Sequence, residues 1–326
     1  MKPPILNNLF GLAPDAFENA ALELCRYQYA ENAVYRNFCD ALGKSQAAIN
    51  SISDIPFLPI RFFKTHQVVC GNAPAAICFE SSGTTGQEVS RHYVQDLDLY
   101  AQSFRRGFQE FYGNPSDWAI LALLPSYLER GRSSLVYMVQ DLMAQSGHAA
   151  NAFFLHDHTA LASALEQLEK QGQQTLLIGV TYALLDFAAA YPMPLQHTVV
   201  METGGMKGRR EELLRDEVHA LLKQAFQLEQ IHSEYGMTEL LSQAYSKGVG
   251  VFKTLSWMKV MVRDEDDPAT CKYLGRGALN IIDLANMHSC AFIATDDVAE
   301  IHPDGRFHLL GRLDHSDIRG CSLMAF

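Results

Sequence analysis

The stretch Glu80–Gly86 reads Glu-Ser-Ser-Gly-Thr-Thr-Gly, placing the hydroxyls of Ser81, Ser82, Thr84 and Thr85 around the glycines Gly83 and Gly86. Glycines let a backbone turn tightly and approach a ligand, and hydroxyls with free N–H groups surround an anion without bringing a fixed charge. That is chemistry for holding phosphate. Gln87 stands where a Walker loop needs the start of Gly-Lys-Ser/Thr, so this is a different phosphate loop. Taken alone, the same residues also make an ordinary solvated turn. Two further stretches carry groups of the same kind. Glu202-Thr203-Gly204-Gly205-Met206-Lys207-Gly208-Arg209-Arg210 is a glycine-rich turn with a basic cluster, and His232-Ser233-Glu234-Tyr235-Gly236-Met237-Thr238-Glu239 ends on a carboxylate. The plain alternatives are a helix start with solvated arginines for the first and a turn with a capping box for the second.

The hydroxyl loop follows a short apolar run, Ala75 to Phe79, that reads as a strand. From Ala119 onward short apolar runs alternate with amphipathic ones. Ala119–Leu124, Ala152–Leu155, Thr175–Val180 and Thr198–Met201 read as strands, with helices over 133–146, 159–171, 181–190 and 209–225. This alternation predicts an α/β fold with a mainly parallel sheet covered by helices, whose ligands gather at the carboxyl ends of the strands. Both later loops have that address. Before the sheet, apolar residues at helical spacing predict a helical region over 15–42, and 97–112 reads as a helix. Pro56–Lys64 is too rich in proline for a long helix, and its aromatic residues suggest a chain pinned across a surface by packing. Beyond Thr254 the helical period disappears. Met258–Val262, Leu279–Leu284, Ala291–Thr295, Ala299–His302 and Phe307–Leu310 read as strands of a β-rich part, with Pro303-Asp304-Gly305 turning between the last two.

With 326 residues, 48% hydrophobic, the chain can bury one large core or two domains. A formal charge of −11 argues against nucleic acid or an anionic membrane surface as partner, so any anionic ligand must be met by local donors. No apolar run reaches the roughly 20 residues of a membrane span, and Met1-Lys2-Pro3-Pro4 does not open a signal peptide, which implies a cytoplasmic protein. The seven cysteines are scattered without a Cys-x-x-Cys pair and read as small buried hydrophobes.

Four ordered motifs resemble the adenylate-forming superfamily of acyl- and aryl-activating enzymes: Ser81–Gly86, Tyr235-Gly236-Met237-Thr238-Glu239, Thr295-Asp296-Asp297 and Gly311-Arg312-Leu313-Asp314. Within it the chain is similar to the LuxE-like acyl-protein synthetases of bacterial luminescence. The likeness there adds Pro56–Lys64, Gly204–Gly208, Asp283-Leu284-Ala285-Asn286 and Ser316–Cys321, and runs from about residue 55 to the end. The resemblance implies ATP and Mg²⁺ as cofactors. Ser81, Ser82, Thr84 and Thr85, with Gly83 and Gly86, would hold the β- and γ-phosphates. Tyr235 would stack on adenine beside Gly204 and Gly205, within a loop that includes Gly236 and Thr238. Glu239 would coordinate the metal, Asp297 would accept the ribose hydroxyls, and Arg312 would lie against ribose and phosphates.

The implied organisation is an N-terminal-type adenylation domain over 1–310 (helical start 1–55, α/β core 56–255, β-rich part 256–310) and a truncated tail over 311–326. The superfamily's separate C-terminal domain carries a lysine that this sequence does not place. Lys207, after a Gly-Gly turn, is the candidate substitute as a point charge, with a solvated lysine at a helix start as the plain alternative. Arg91 is the nearest basic residue past the hydroxyl loop. In luminescence acyl-protein synthetases a cysteine near the C-terminus accepts the acyl group, and Cys321 stands in that position. Its thiol is suited to attack an acyl adenylate, and it can equally pack as a small apolar side chain. The leading expectation is therefore an ATP-dependent acyl-protein synthetase. It would activate a carboxylic acid, with a fatty acid favoured, and pass the acyl group to a thiol, with an acyl-accepting reductase or carrier protein as partner. Alternatives are an acyl- or aryl-CoA ligase of the phenylacetate type and a degenerate nucleotide-binding subunit.

Overall fold

The computed structural model describes residues 9–82, 88–125, 131–204, 213–264 and 271–313. The N-terminal helical region forms α1 (Phe17–Glu31) and α2 (Ala33–Ala41), divided at Asn32. Asn32 has extended backbone angles and its side chain accepts from Tyr35 N at 3.0 Å, so it caps the second helix where one continuous helix was equally compatible with the spacing. The proline-bounded segment then gives β1 (Leu58–Pro59) and one helical turn, α3 (Phe62–Thr65). Next comes a two-stranded hairpin, β2 (Ile77–Glu80) with β3 (Arg91–Val94), which carries the hydroxyl loop between its strands.

Helix α4 (Leu97–Tyr112) leads into the alternating part. Its elements are β4 (Ala119–Leu123), α5 (Ser134–Ser146), β5 (Ala152–Phe153), α6 (His158–Gln171), β6 (Thr175–Val180), α7 (Thr181–Ala190), β7 (Thr198–Thr203), α8 (Arg215–Phe226) and β8 (His232–Tyr235). These strands pair in parallel in the order β5-β4-β6-β7-β8, and β9 (Ala244–Ser246) closes the edge antiparallel to β8. Every residue of β4 and β6 is buried, as expected where helices cover both faces of a parallel sheet. The predicted helix over 209–225 starts at Arg215 among the described residues, after Leu213 and Leu214 in non-helical backbone. Glu217 accepts from Leu214 N at 2.7 Å and sets that start.

The remaining strands are β10 (Val251–Phe252), β11 (Met258–Arg263), β12 (Cys271–Lys272), β13 (Gly275–Asp283), β14 (Phe292–Ile301) and β15 (Phe307–Arg312). They form a mostly antiparallel sheet in the order β10-β15-β14-β13-β11-β12, and β1 adds to it in parallel with β14. Two predicted strands, Ala291–Thr295 and Ala299–His302, are one continuous strand here. The polar pair Asp296-Asp297 that separates them in sequence sits mid-strand at the rim of the first sheet. One hydrophobic core runs through both sheets and α1, from Leu9 to Phe307.

Cys25, Cys39, Cys70 and Cys290 are free and buried; Cys78 and Cys271 are free and partly covered. Among the described residues no helix is long and apolar enough to cross a membrane, and no cluster of His, Cys, Asp or Glu is arranged to hold a metal by itself.

Candidate active site

Tyr235 ends a strand of the parallel sheet, and Asp297 and Arg312 lie on neighbouring strands of the antiparallel one. They meet where the two sheets face each other. The Tyr235 hydroxyl donates to Asp297 Oδ2 at 2.7 Å, and Arg312 Nε lies 3.4 Å from Asp297 Oδ1. A bulge produces this alignment: Asp297 pairs with Arg312 and Val298 with Gly311, but Ala299 pairs with Leu309, leaving Leu310 extra. Gly311 takes φ +141, which a β-carbon would strain, and the bend re-aims Arg312. Burial raises the Asp297 carboxyl above its ordinary range, against the pull of the Tyr235 hydroxyl and Arg312. The Tyr235 ring stands edge-on to Phe252 and Phe307, with centroids 6.0 and 5.9 Å away.

Glu239 is 5% exposed and lies in a turn after β8. Since no helix follows it, helix capping does not explain it. The turn is fastened from three directions. Asn286 Nδ2 donates to the Glu239 carbonyl at 2.7 Å, and the buried Asp283 carboxylate accepts from Leu241 N, Ser242 N and Ser242 Oγ at 2.9, 2.9 and 2.6 Å. From the hairpin, His92 Nδ1 donates to the Thr238 carbonyl at 2.8 Å, and burial holds this imidazole neutral by lowering its pKa to about 4. The Glu239 carboxyl is raised by burial. Its hydrogen bond from Ser90 and the charges of Lys64 and Arg312 pull it back toward ionisation. Ser90 also joins the hydroxyl loop to this turn: Ser90 N donates to Ser81 Oγ at 2.9 Å and Ser81 N to the Ser90 carbonyl at 3.0 Å. At the root of that loop Glu80 Oε1 receives Arg132 Nη1 at 2.8 Å and lies 3.6 Å from Arg91 Nε.

A second buried acidic pair underlies the glycine-rich turn. Glu202 lies 3.2 Å from Arg215 Nε, 3.7 Å from His219 Nε2 and 3.1 Å from Thr181 Oγ1. Burial pushes this carboxyl up, yet His219, Arg215 and Ser233 together bring it below its ordinary value. Thr181 Oγ1 donates to the Gly204 carbonyl at 2.6 Å, where Gly204 takes φ +72. On the adjacent strand Glu234 receives the Thr203 hydroxyl, and burial, with the Glu202 charge adding to it, raises its pKa to about 7. Its side chain folds beneath the following turn, so a β-carbon at position 236 would collide with Glu234 Oε1. A larger residue at 236 would force the Glu234 carboxylate to move.

No family model matches the chain. It is 23% identical over 327 residues to the long-chain-fatty-acid–luciferin-component ligase of Vibrio harveyi, covering 91% of this chain and 84% of that protein. Among solved structures, 2-hydroxyisobutyryl-CoA ligase in complex with 2-HIB-AMP and CoA superposes with a TM-score of 0.64 at 14% identity, over 95% of this chain and 71% of its own. ATP-bound MatB from Rhodopseudomonas palustris gives 0.53 at 15% identity, over 75% of this chain. The chain spans about half of MatB, 49% of its length. The fold is that of the adenylate-forming ligases. The fold expected from the four loops is the one the architecture shows.

Within this adenylate-forming fold, Tyr235, Gly236, Thr238, Glu239, Asp297 and Arg312 come together, with Ser81 joined to Glu239 through Ser90. Ser82 lies next to Ser81 and is exposed, and Gly204 directly follows β7, whose Thr203 pairs with Glu234 of β8. Gly83, Thr84, Thr85, Gly86, Gly205, Lys207 and Cys321 lie outside the described residues. Arg91 turns back to Glu80. Sequence reasoning missed Ser90, Arg132, Arg215 and His219, which stand alone in the sequence with no motif around them; only the fold brings them to the loops.

Proposed function

We propose that this protein activates a carboxylic acid with ATP as an acyl adenylate and passes the acyl group to a thiol. The observation that carries the reading is the meeting of Tyr235, Asp297 and Arg312 beside the buried Glu239, in a fold shared with an ATP-bound ligase. In this reading Ser81, Ser82, Thr84 and Thr85 hold the phosphates, Asp297 takes the ribose hydroxyls and Tyr235 with Gly204 and Gly205 borders adenine. Arg312 exchanges its contact with Asp297 for the nucleotide.

The donor chemistry suits Mg²⁺: Glu239 is a hard oxygen ligand, held rigidly and kept from water, whose own charge is poorly compensated by protein. Glu239 would hold the ion, which supplies charge neutralisation at the phosphates. The carboxylate oxygen of the acid attacks the α-phosphorus and pyrophosphate leaves. A thiolate then attacks the acyl carbon, AMP leaves, and the thiol proton goes to solvent. Lys207 is the proposed point charge at the α-phosphate and Cys321 the proposed acyl acceptor. A fatty acid is the favoured substrate, because the relative from Vibrio harveyi is named for a long-chain one, and an acyl-accepting reductase or carrier protein is the favoured downstream partner.

ATP–pyrophosphate exchange with short-, medium- and long-chain fatty acids tests the first step. Labelled acid plus ATP tests the second. The expected result is hydroxylamine-labile label on the wild type, lost in Cys321→Ser while exchange persists. Exchange without protein label, combined with acyl transfer to added coenzyme A, replaces the protein-thiol reading with a CoA ligase.

A further inference from the structure

We infer that the Pro59–Lys64 strap is a further element of the site and that Lys64 is a catalytic residue, contacting the phosphates of ATP and the departing pyrophosphate. This rests on the adenylation reading above. The strap lies outside the four loops that carry the superfamily resemblance, within a segment that the LuxE-like likeness adds without giving it a role. It is fastened to the site at three points. First, β1 runs along β14 with Leu58 opposite Ile293 and Pro59 opposite Ala294, and Ile60 N donates to the Ala294 carbonyl at 2.9 Å. This pins it to the strand that bears Asp296 and Asp297 immediately afterwards. Second, Arg61 Nε lies 3.5 Å from Asp296 Oδ2, the neighbour of the carboxylate that binds Tyr235 and Arg312. Third, Phe63 is fully buried with its ring edge-on to His92, centroids 5.6 Å apart, and His92 holds the Thr238 carbonyl, one residue before Glu239.

Lys64 follows Phe63 directly and is exposed. With its neighbour locked against His92, its backbone is fixed beside the Glu239 turn while its ammonium stays in solvent. Two cations thus pair with the carboxylates of β14, Arg61 with Asp296 and Arg312 with Asp297, and Lys64 lies three residues along the strap from Arg61. An ammonium is a compact charge on a long stem and binds phosphate as a point. Were Glu239 to hold Mg²⁺, the Lys64 ammonium would remain free to meet a phosphate anion. A chain of net charge −11 draws an anion only where such local cations are gathered.

The test compares wild type, Lys64→Met, Lys64→Arg and Lys170→Met, the last an exposed lysine on α6 that pairs with Glu166. Pyrophosphate with Mg²⁺ is titrated calorimetrically, which needs no knowledge of the acid, and ATP–pyrophosphate exchange is measured with the fatty-acid panel. Lys64→Met is expected to bind pyrophosphate about tenfold more weakly and to lose about 10²-fold in the kcat of exchange, at an unchanged thermal midpoint. Lys64→Arg should recover most of both, and Lys170→Met should match wild type. Wild-type binding and exchange in Lys64→Met overturn the inference. So does a loss shared equally by Lys64→Arg and accompanied by a lowered midpoint, which makes the residue structural. A wild type that binds neither ATP nor pyrophosphate overturns the adenylation reading itself, and Lys64 falls with it. If the wild type binds both but exchanges with no acid, the pyrophosphate titration decides alone: weaker binding by Lys64→Met supports the contact, and equal binding overturns it.

Discussion

Neighbouring strands of the parallel sheet end in buried carboxylates, and the protein treats them in opposite ways. At the end of β7, Glu202 is met by Arg215, His219 and Thr181, and its ionised form is favoured despite burial. Past the end of β8, Glu239 has a hydroxyl, a backbone N–H and two charges acting through space, and burial leaves its ionised form disfavoured. Asp297, which faces Tyr235, shares that imbalance even with Arg312 at 3.4 Å. A compensated buried acid is a fastening: it ties β7 to the first turn of α8 on the far side of the glycine-rich stretch. An under-compensated acid is a place where the protein has left charge for something else to balance. The two groups differ most in what removing the charge should do.

The largest effect is expected at the compensated end. Arg215→Met leaves Glu202 buried without its guanidinium partner, and breaking a buried pair in this way costs about 3–5 kcal/mol. Thermal or denaturant unfolding should show that loss, and the Glu202→Gln/Arg215→Met double variant should recover part of it because no unpaired charge remains. The sign with pH also follows. Glu202 has a folded pKa below its unfolded one, so its contribution is present above the ordinary carboxylate range and disappears as pH falls through the lowered value. A cost for Arg215→Met no larger than the roughly 0.5 kcal/mol of an ordinary surface change would remove the contrast.

At the under-compensated end the effect moves from stability to activity. Glu239→Gln and Asp297→Asn are each expected to lower ATP–pyrophosphate exchange by about 10²-fold, or about 2.7 kcal/mol of transition-state stabilisation. Both carboxyls have folded pKa values above their unfolded ones. Their stability contribution is present at acidic pH and lost as pH rises through the raised values, so neutral amides should leave the thermal midpoint at pH 7 equal or higher. Exchange at limiting Mg²⁺ is the decisive measurement for Glu239. Wild-type exchange there would take the metal role away from it.

Much of this contrast was legible in the sequence, but only on one side. The apolar runs Thr175–Val180 and Thr198–Met201 read as strands, and the resemblance of four ordered motifs to the adenylate-forming superfamily is what picked out Tyr235, Glu239, Asp297 and Arg312. Arg215 and His219 could not be picked out. They sit on an amphipathic helix, where a basic residue reads as solvated, and only the crossover from β7 brings them back to Glu202. Pro56–Lys64 was legible as a pinned segment, but what it is pinned to depends on parallel pairing with a strand more than 230 residues later, Leu58 opposite Ile293. Local patterns encode elements; pairings of that separation are encoded only in the fit of two surfaces.

Glu234 lies between the two classes, and the smallest effect is expected from it. It has the Thr203 hydroxyl as partner and no cation among the described residues; Glu202 faces it from β7, Tyr100 from α4, Tyr112 from the end of α4 and Tyr245 from β9. Its folded pKa of about 7 lies above its unfolded 4.5, so the folded state keeps a proton that the unfolded state has already lost. Stability from this group is full below about pH 4.5 and falls as pH rises through about 7, with a slope of about 1.4 kcal/mol per pH unit between. Between about pH 5.5 and 7 the wild type should therefore lose about 2 kcal/mol from this source. Glu234→Gln keeps an acceptor for Thr203 and removes the charge. It should flatten that slope, lie above wild type in stability past neutrality, and leave exchange activity within a few-fold because Gly236 still clears the side chain beneath it. Denaturant unfolding of both proteins across this range checks the claim. Parallel slopes would mean that Glu234 finds a cation or water to match it and belongs with Glu202; a loss of activity as large as that of Glu239→Gln would move it into the group that meets the nucleotide.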